Sequence, residues 1–205
     1  NITNDVEIYS KGLEWKLKLH EHTGFSFDQR LITYGSEVTL PMYDWRFGAH
    51  AFVSDKNFEV IGVLFNEEVV KTNAVYDLAK NDLGLESTVK YLASDPIITK
   101  AAVTGLTEGT FKMTKGSLLN VDGGFGLGKN IHLKVIGSGK EIFNGNVALD
   151  SAHFLNTNYN VDEAQVKAFS ATLQDQLKKD LDAANADVKQ KFEKIKQYSA
   201  EKRER

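Results

Sequence analysis

The segment from Leu13 to Leu19 decides the fold: it reads LEWKLKL and alternates apolar and charged residues without exception. A side-chain period of two is that of a β-strand, so the apolar residues share one face and the charged residues the other. The apolar set is Leu13, Trp15, Leu17 and Leu19. The segment therefore predicts an amphipathic strand with one face in water.

Similar alternation recurs along most of the chain, at residues 38–42, 47–53, 58–65, 110–114, 131–136 and 141–149. Clusters of turn-forming residues separate these runs, at 22–24, 34–36, 54–57, 137–139 and 144–146. Runs spaced this closely favour antiparallel meanders over parallel units joined by crossover helices. We therefore predict a β-rich domain over residues 1–160, built on an antiparallel amphipathic sheet.

One interior stretch, residues 73–92, fits two structures. Val75, Leu78 and Leu85 follow at helix-like intervals, and Thr72 or Asn73 is a suitable cap. Residues 85–91, however, also alternate as a strand does. We predict a short helix over 73–82 and leave the remainder open between the two structures.

The last part of the chain, residues 161–205, carries a helical pattern. Its apolar residues follow at steps of three and four: Val166, Phe169, Leu173, Leu177, Leu181, Ala184, Val188, Phe192 and Ile195. Asn160 or Asp162 is placed to cap a helix roughly 65 Å long. The pattern predicts a long amphipathic helix, or a helical hairpin that breaks near residues 182–187. Together with the sheet it gives an α+β fold.

Composition excludes several classes of function. The 205 residues are 41% hydrophobic and 26% charged, a balance typical of folded globular proteins. The chain has no cysteine, which excludes disulfides, a thiol nucleophile and an iron–sulfur cluster. A net charge of −3 argues against nucleic-acid binding, and no apolar run reaches the roughly 18–20 residues that span a bilayer.

A glycine-rich segment at residues 123–129 matches the spacing of a phosphate-binding loop. The next residue is Asn130, whereas such a loop has a serine or threonine there to hold magnesium. Residues 131–135 alternate like a strand, although a phosphate loop should open a helix. We interpret the segment as a strand whose glycines let a ring or a backbone approach closely.

Two other groups of residues resemble chemical sites. His20 and His22 lie on the same side of a strand end and are suitable zinc or copper ligands, but the sequence locates no third ligand. Residues 150–153, Asp-Ser-Ala-His, contain the residue types of a hydrolytic triad, yet adjacent residues rarely reach that geometry. We therefore predict no enzyme activity, no catalytic residue, no metal and no cofactor. A metal-dependent activity at His20 and His22 remains as an alternative hypothesis, after the two that are described below.

The segment KVIGSGKEIFNGNVALD, residues 134–150, and its continuation to residue 161 resemble the β region of large lipid transfer proteins. That family includes apolipophorins, apolipoprotein B and vitellogenins. The resemblance is to the arthropod apolipophorin branch, which includes mite lipophorin-like allergens. It implies a secreted, non-enzymatic lipid carrier that holds phospholipid and neutral lipid against amphipathic sheets and helices. Because the N-terminal parts of that family bear disulfides, the lack of cysteine implies an internal fragment of a longer parent chain.

The resemblance also implies a set of lipid-facing residues. On strands they are Leu13, Trp15, Leu17, Leu19, Phe125, Leu127, Ile131, Leu133 and Val135, and on the helix Leu173, Leu177, Leu181, Val188 and Phe192. The expected partners are lipid and the remainder of the parent chain. Asn1 begins the one glycosylation sequon of the chain, which fits an extracellular location.

The second hypothesis is a structural or interaction module. In it, the C-terminal helix pairs with another chain and the β-rich domain forms homo-oligomers through that helix.

Overall fold

The structure, a computed structural model, describes residues 2–9, 16–41, 43–90, 95–126, 130–149 and 155–204. Thirteen strands pair in chain order in one antiparallel meander, and a helix follows, which confirms the predicted α+β class. The strands are β1 (Ile2–Tyr9), β2 (Lys16–Ser26), β3 (Leu31–Leu40), β4 (Trp45–Val53), β5 (Asn57–Leu64), β6 (Glu67–Asp77), β7 (Asp82–Val89), β8 (Ile97–Thr104), β9 (Glu108–Lys115), β10 (Leu119–Phe125), β11 (Asn130–Gly137), β12 (Lys140–Leu149) and β13 (Leu155–Val161). The helix α1 spans Glu163–Glu204.

The chain divides into two compact units. Unit 1 comprises residues 1–72, 90–94 and 180–205, and unit 2 comprises residues 73–89 and 95–179. Strand β6 and helix α1 each contribute residues to both units.

In unit 1 the alternation of the strands separates an apolar face from a charged face. Leu19 of β2 lies opposite Val6 of β1 and Val38 of β3, and Phe47 of β4 continues the same row. The opposite face carries ion pairs between neighbouring strands, such as Lys18–Glu7 at 3.9 Å. The register therefore places Leu19 and its cross-strand neighbours on one side of the sheet in unit 1 and the Lys18–Glu7 ion pair on the other.

The C-terminal half of α1 is held in unit 1 by an aromatic cluster. The rings of Trp45 and Phe47 lie 5.3 Å and 4.6 Å from the ring of Phe65, centre to centre. The ammonium group of Lys191 on α1 lies 4.8 Å from the centre of the Phe65 ring, in cation–π contact. The hydroxyl of Tyr43 donates a hydrogen bond of 2.8 Å to the carbonyl oxygen of Lys194. Cation–π contact and hydrogen bonding therefore supplement apolar burial in holding this half of the helix.

In unit 2 the N-terminal half of α1 rests on β11. The ring of Phe169 lies directly on Gly137, where a Cβ atom would overlap it. Gly137 pairs with Leu119 of β10, which pairs in turn with Lys115 of β9, so this row faces the helix. Because glycine has no side chain, the Phe169 ring reaches the backbone of the sheet and is only 9% exposed.

The short helix predicted over residues 73–82 is wrong. Strand β6 continues to Asp77, whose carboxylate accepts a hydrogen bond of 3.1 Å from the backbone N–H of Ala79. Asn81 has a φ of 57°, in the left-handed region that ends a tight turn, and β7 follows. Strand pairing on both sides outweighs the helical spacing of the apolar residues, and the open alternative for residues 85–89 is a strand.

Three of the predicted turns are also wrong, because residues 22–24, 34–36 and 144–146 lie inside β2, β3 and β12. Two of the glycines that indicated them, Gly35 and Gly145, allow close approach instead. A Cβ at Gly35 would lie 2.8 Å from His50 Nδ1, and one at Gly145 would lie 2.8 Å from Phe143 Cζ. The turns predicted at 54–57 and 137–139 are confirmed.

The helix is continuous over 42 residues, about 63 Å at its usual rise, so the alternative of a hairpin broken at residues 182–187 is wrong. The predicted cap is confirmed, since Asp162 Oδ1 accepts a hydrogen bond of 3.0 Å from the N–H of Gln165. Asp187, the last residue of the expected break, forms an ion pair with Lys191 one helical turn later. The alanines of that stretch also favour helix, and Ala184 is fully buried.

We expect the replacement Gly137→Ala to destabilise unit 2 by about 1–3 kcal/mol, because the new methyl group overlaps the Phe169 ring. Urea denaturation followed by circular dichroism measures the change. The matched control is Gly126→Ala, since a Cβ at Gly126 meets nothing within 4 Å. The control should stay within about 0.5 kcal/mol of the parent protein. Equal midpoints for the two variants would show that Phe169 does not rest on Gly137.

Candidate functional site

The candidate site is the face of unit 2 that α1 crosses. Cross-strand pairing places the following apolar residues of β7 to β13 on it: Leu83, Leu85, Val89, Ile97, Ala101, Val103, Phe111, Met113, Leu119, Val121, Phe125, Ile131, Leu133, Val135, Phe143, Val147, Tyr159 and Val161. We call this set the apolar face. Among the described positions of these seven strands, its charged residues are Lys115 and Lys140, both in the end row with Gly137.

The opposite face of the same strands is polar. Glu86 of β7 pairs with Lys100 of β8 at 3.9 Å, and Lys134 of β11 lies 3.9 Å from Glu141 of β12. At the far edge the polar groups are amides: the register pairs Asn144 with Asn160 and Asn146 with Asn158. Unit 2 thus has its charges and amides on one side of the sheet and almost none on the other.

Much of the apolar face is open to solvent. Nine of its large side chains are exposed: Leu83, Leu85, Val89, Phe111, Phe125, Ile131, Leu133, Tyr159 and Val161. Ile131 is 60% exposed and Leu133 is 40% exposed, although both point to the side that carries the helix. Covering a half-exposed side chain of this size is worth roughly 1 kcal/mol, so covering all nine gains on the order of 10 kcal/mol. An exposed apolar patch of this extent is typical of an interaction surface.

Glycines flatten the apolar face. Phe125 of β10 pairs with Gly109 of β9, and its ring lies over the position that a Cβ at Gly109 would take. Phe143 lies over Gly145 in the same way, along its own strand. The rings therefore lie along the sheet, and the glycine segment predicted to allow close approach does so at Gly123, whose Cβ would lie 3.3 Å from a methyl group of Leu133.

The structure brings together four of the residues predicted to face lipid: Phe125, Ile131, Leu133 and Val135 lie on neighbouring strands of the apolar face. Leu19 lies apart from them, on the apolar face of unit 1. Leu13, Trp15 and Leu127 lie outside the described residues, as does Asn1, and of Leu17 only the backbone is described.

The predicted helix residues are less buried than a core helix requires. Leu177, Leu181 and Phe192 are 46%, 49% and 55% exposed, and Leu173 and Val188 are intermediate. The buried apolar residues of the described part of α1 are Phe169 and Ala184. The apolar stripe of α1 therefore faces the strands only in part. The rest of the stripe, with Leu177, Leu181 and Phe192, forms an apolar flank of the helix that is exposed to solvent.

Sequence reasoning missed the contribution of β7, β8 and β9 to the apolar face. The helix-like spacing around Leu83 and Leu85 conceals a second pattern, in which they alternate with Gly84 and Glu86 as strand residues do. Alternation shows that a strand has an apolar side, but only the pairing of strands shows which apolar sides lie on the same face of the sheet.

The other candidate sites have different surroundings. Gly123 and Gly124 belong to strand β10, so they do not begin a helix whose N-terminus could hold a phosphate. The imidazole of His132 lies over Gly124. His20 pairs with Asp5, and His22 Nε2 lies 3.4 Å from Thr33 Oγ1. No group of three or more histidine, aspartate or glutamate side chains in the described part of the chain is arranged to hold a metal ion. Residues 150–153 lie outside the described residues.

Within the described residues, no helix has the length and apolar content needed to cross a membrane.

Comparison with known proteins adds one relative. The chain is 24% identical over 199 residues to the apolipophorins of Drosophila melanogaster. The comparison supports a distant relationship to the apolipophorins. The match covers 97% of this chain and 6% of that protein, so the chain spans a small part of the relative's length. No family model matches the sequence, and no solved structure matches it.

We expect an environment-sensitive dye such as anilinonaphthalene sulfonate to bind unit 2 on its apolar face. The replacement Phe111→Gln should lower the dye fluorescence, because Phe111 is 38% exposed there. The matched control is Lys112→Gln, one residue along β9 and on the opposite face, which should leave the fluorescence unchanged. An equal decrease in both variants would place the dye elsewhere.

Proposed function

We propose that this chain binds and transports lipid without enzymatic activity, as part of a longer secreted lipoprotein-like chain of the arthropod apolipophorin type. The observation that carries the proposal is the apolar face of unit 2, which is exposed and has charged residues only in its end row, among the strand positions that the structure describes. The 24% identity to apolipophorins supports the same function, because the name of that relative denotes a lipid-carrying protein.

The chemistry of the apolar face favours lipid over a folded protein partner. Protein interfaces place hydrogen-bonding groups among their apolar residues, about one bond per 100–200 Å². The apolar face has few such groups, and its hydroxyl side chains are Ser87, Thr99, Thr157 and Tyr159. Acyl chains of phospholipid and the body of a neutral lipid need no hydrogen bonds, and a fluid phase adapts to a flat surface without shape complementarity.

The helix extends the surface offered to lipid. The exposed flank with Leu177, Leu181 and Phe192 carries large apolar side chains next to lysines, the pattern of a helix at a lipid interface. Unit 1 adds a second apolar sheet face, on which Phe25, Ile32 and Tyr34 are about half exposed. In this proposal lipid covers what one helix leaves uncovered, and the polar faces stay in water.

Flotation with vesicles of phosphatidylcholine, and with a triacylglycerol emulsion coated with the same phospholipid, tests the proposal. The parent protein should float with both. The double variant Ile131→Gln/Leu133→Gln should weaken partition by about 2 kcal/mol, or roughly thirtyfold, since two half-exposed apolar side chains are lost from the interface.

The control is His132→Gln/Lys134→Gln, on the same strand and the opposite face, which should float as the parent protein does. Zwitterionic lipid makes the comparison independent of net charge. Protein that stays entirely in the lipid-free fraction would contradict the proposed function. Equal loss in the two double variants would contradict the role of the apolar face.

A second candidate function is an interaction module that forms homo-oligomers through α1. It is favoured by the exposure of Leu177 and Leu181, which lie one turn apart on one side of the helix. A concentration-dependent dimer that is lost in Leu177→Asp, in the absence of lipid, would support this function over lipid transport.

A further inference from the structure

Strand β13 forms one edge of the sheet. It pairs with β12 on one side, and the strand order ends there. Residues 157–161 are all exposed. The helix that follows does not cover this edge, because α1 turns inward and places Phe169 on Gly137 of β11, two strands away. Within the described part of the chain, no strand therefore pairs with the backbone N–H and C=O groups on the outer side of β13.

The sequence of this edge lacks the features that prevent strand addition. Leu155–Val161 reads LNTNYNV, with no charge and no proline, and its register with β12 runs without a bulge. Proteins usually protect an edge with charged residues, proline or bulges. The edge at β1 has such protection, since Asp5 and Glu7 alternate along it and pair with His20 and Lys18 of β2. The edge at β13 therefore permits the addition of another strand, whereas the charged residues of β1 disfavour it.

We propose that β13 is an interaction surface for a second copy of this chain, in which the two β13 strands pair antiparallel about Asn158. In that register Asn158 lies opposite Asn158, Thr157 opposite Tyr159, and position 156 opposite Asn160. All seven residues of the strand are paired, and every residue keeps its side of the sheet. Pairing of the two β13 strands does not require bound lipid.

The side chains of β13 are suited to pairing with a second β13 strand. Asn158 and Asn160 continue the amide rows of Asn146 and Asn144 on the polar face, so pairing extends these rows across the junction. Thr157 and Tyr159 meet on the side of the apolar face, and such cross-strand pairs stabilise a sheet. No like charges meet along β13. By contrast, β1 pairing with itself about Val6 would set Asp5 of each copy against Glu7 of the other.

The symmetry of the pairing closes the assembly at two copies. A two-fold axis perpendicular to the sheet, midway between the two paired Asn158 residues, leaves both apolar faces on the same side. Pairing of β13 with β1 of the next copy would instead produce an open polymer. A junction of seven residues is small, which is typical of weak association, so we expect a dissociation constant of roughly 10–500 µM.

Sedimentation velocity over that concentration range, without lipid, tests the inference on the 205-residue chain. The parent protein should show a monomer–dimer equilibrium. Asn158→Asp and Asn158→Lys should each weaken the dimer at least about tenfold, since two like charges then lie directly opposite each other. An equimolar mixture of the two variants should restore dimerisation, because the carboxylate of one variant then faces the ammonium group of the other.

Asn146→Asp is the matched control: it is an exposed asparagine on the same face, paired with Asn158 but one strand inward, and it should dimerise as the parent does. The restoration in the mixture is specific to this register and would not follow from misfolding. A parent protein that stays monomeric to about 500 µM, a mixture that stays monomeric, or larger polymers would each overturn the inference. Loss of the dimer in Leu177→Asp together with an unaffected Asn158→Asp would assign association to the helix instead.

Discussion

The contact between α1 and the sheet sets the character of the whole molecule. In unit 2 this contact is the ring of Phe169 on the backbone of Gly137, and in unit 1 it is the buried Ala184 and the groups around Phe65. A helix is about 10 Å wide, and a strand rises about 3.3 Å per residue, so a helix that crosses the row of Gly137, Leu119 and Lys115 covers about three residues of each strand. Unit 2 alone offers seven complete strands with one apolar side. Exposure of the rest follows from these dimensions.

The exposed surface differs from the interior of an ordinary domain. Aromatic rings of the sheet lie on glycines at Gly109 and Gly145, so the face is flat where a protein core would interdigitate. The charges of these strands form ion pairs on the opposite side, such as Glu86 with Lys100. Covering the apolar side of such a one-sided sheet stabilises it, because uncovered apolar area in water carries a free-energy cost. Lipid supplies such cover without requiring a complementary shape.

The division of the sheet into a polar face and an apolar face also constrains which strands can pair with its edges. Any strand added at an edge must keep the period of two, since a slip by one residue exchanges the two faces. At β1 acidic residues discourage addition of an identical strand, whereas β13 carries neutral residues on both sides. The alternation of side chains along each strand therefore determines both the polarity of the two faces and which strands can add at the edges.

The sequence by itself determined the class of fold and the polarity of each element. Perfect alternation, as around Leu19, fixes which residues of a strand share a side, and a stripe at three- and four-residue steps fixes a helix from its cap at Asp162 onward. Only the tertiary structure decided that residues 73–82 comprise the end of β6, a turn and the start of β7, because strand pairing outweighs local helical spacing. It also decided that Leu83, Phe111 and Leu133 share one face, since pairing register is a long-range property that local periodicity does not contain.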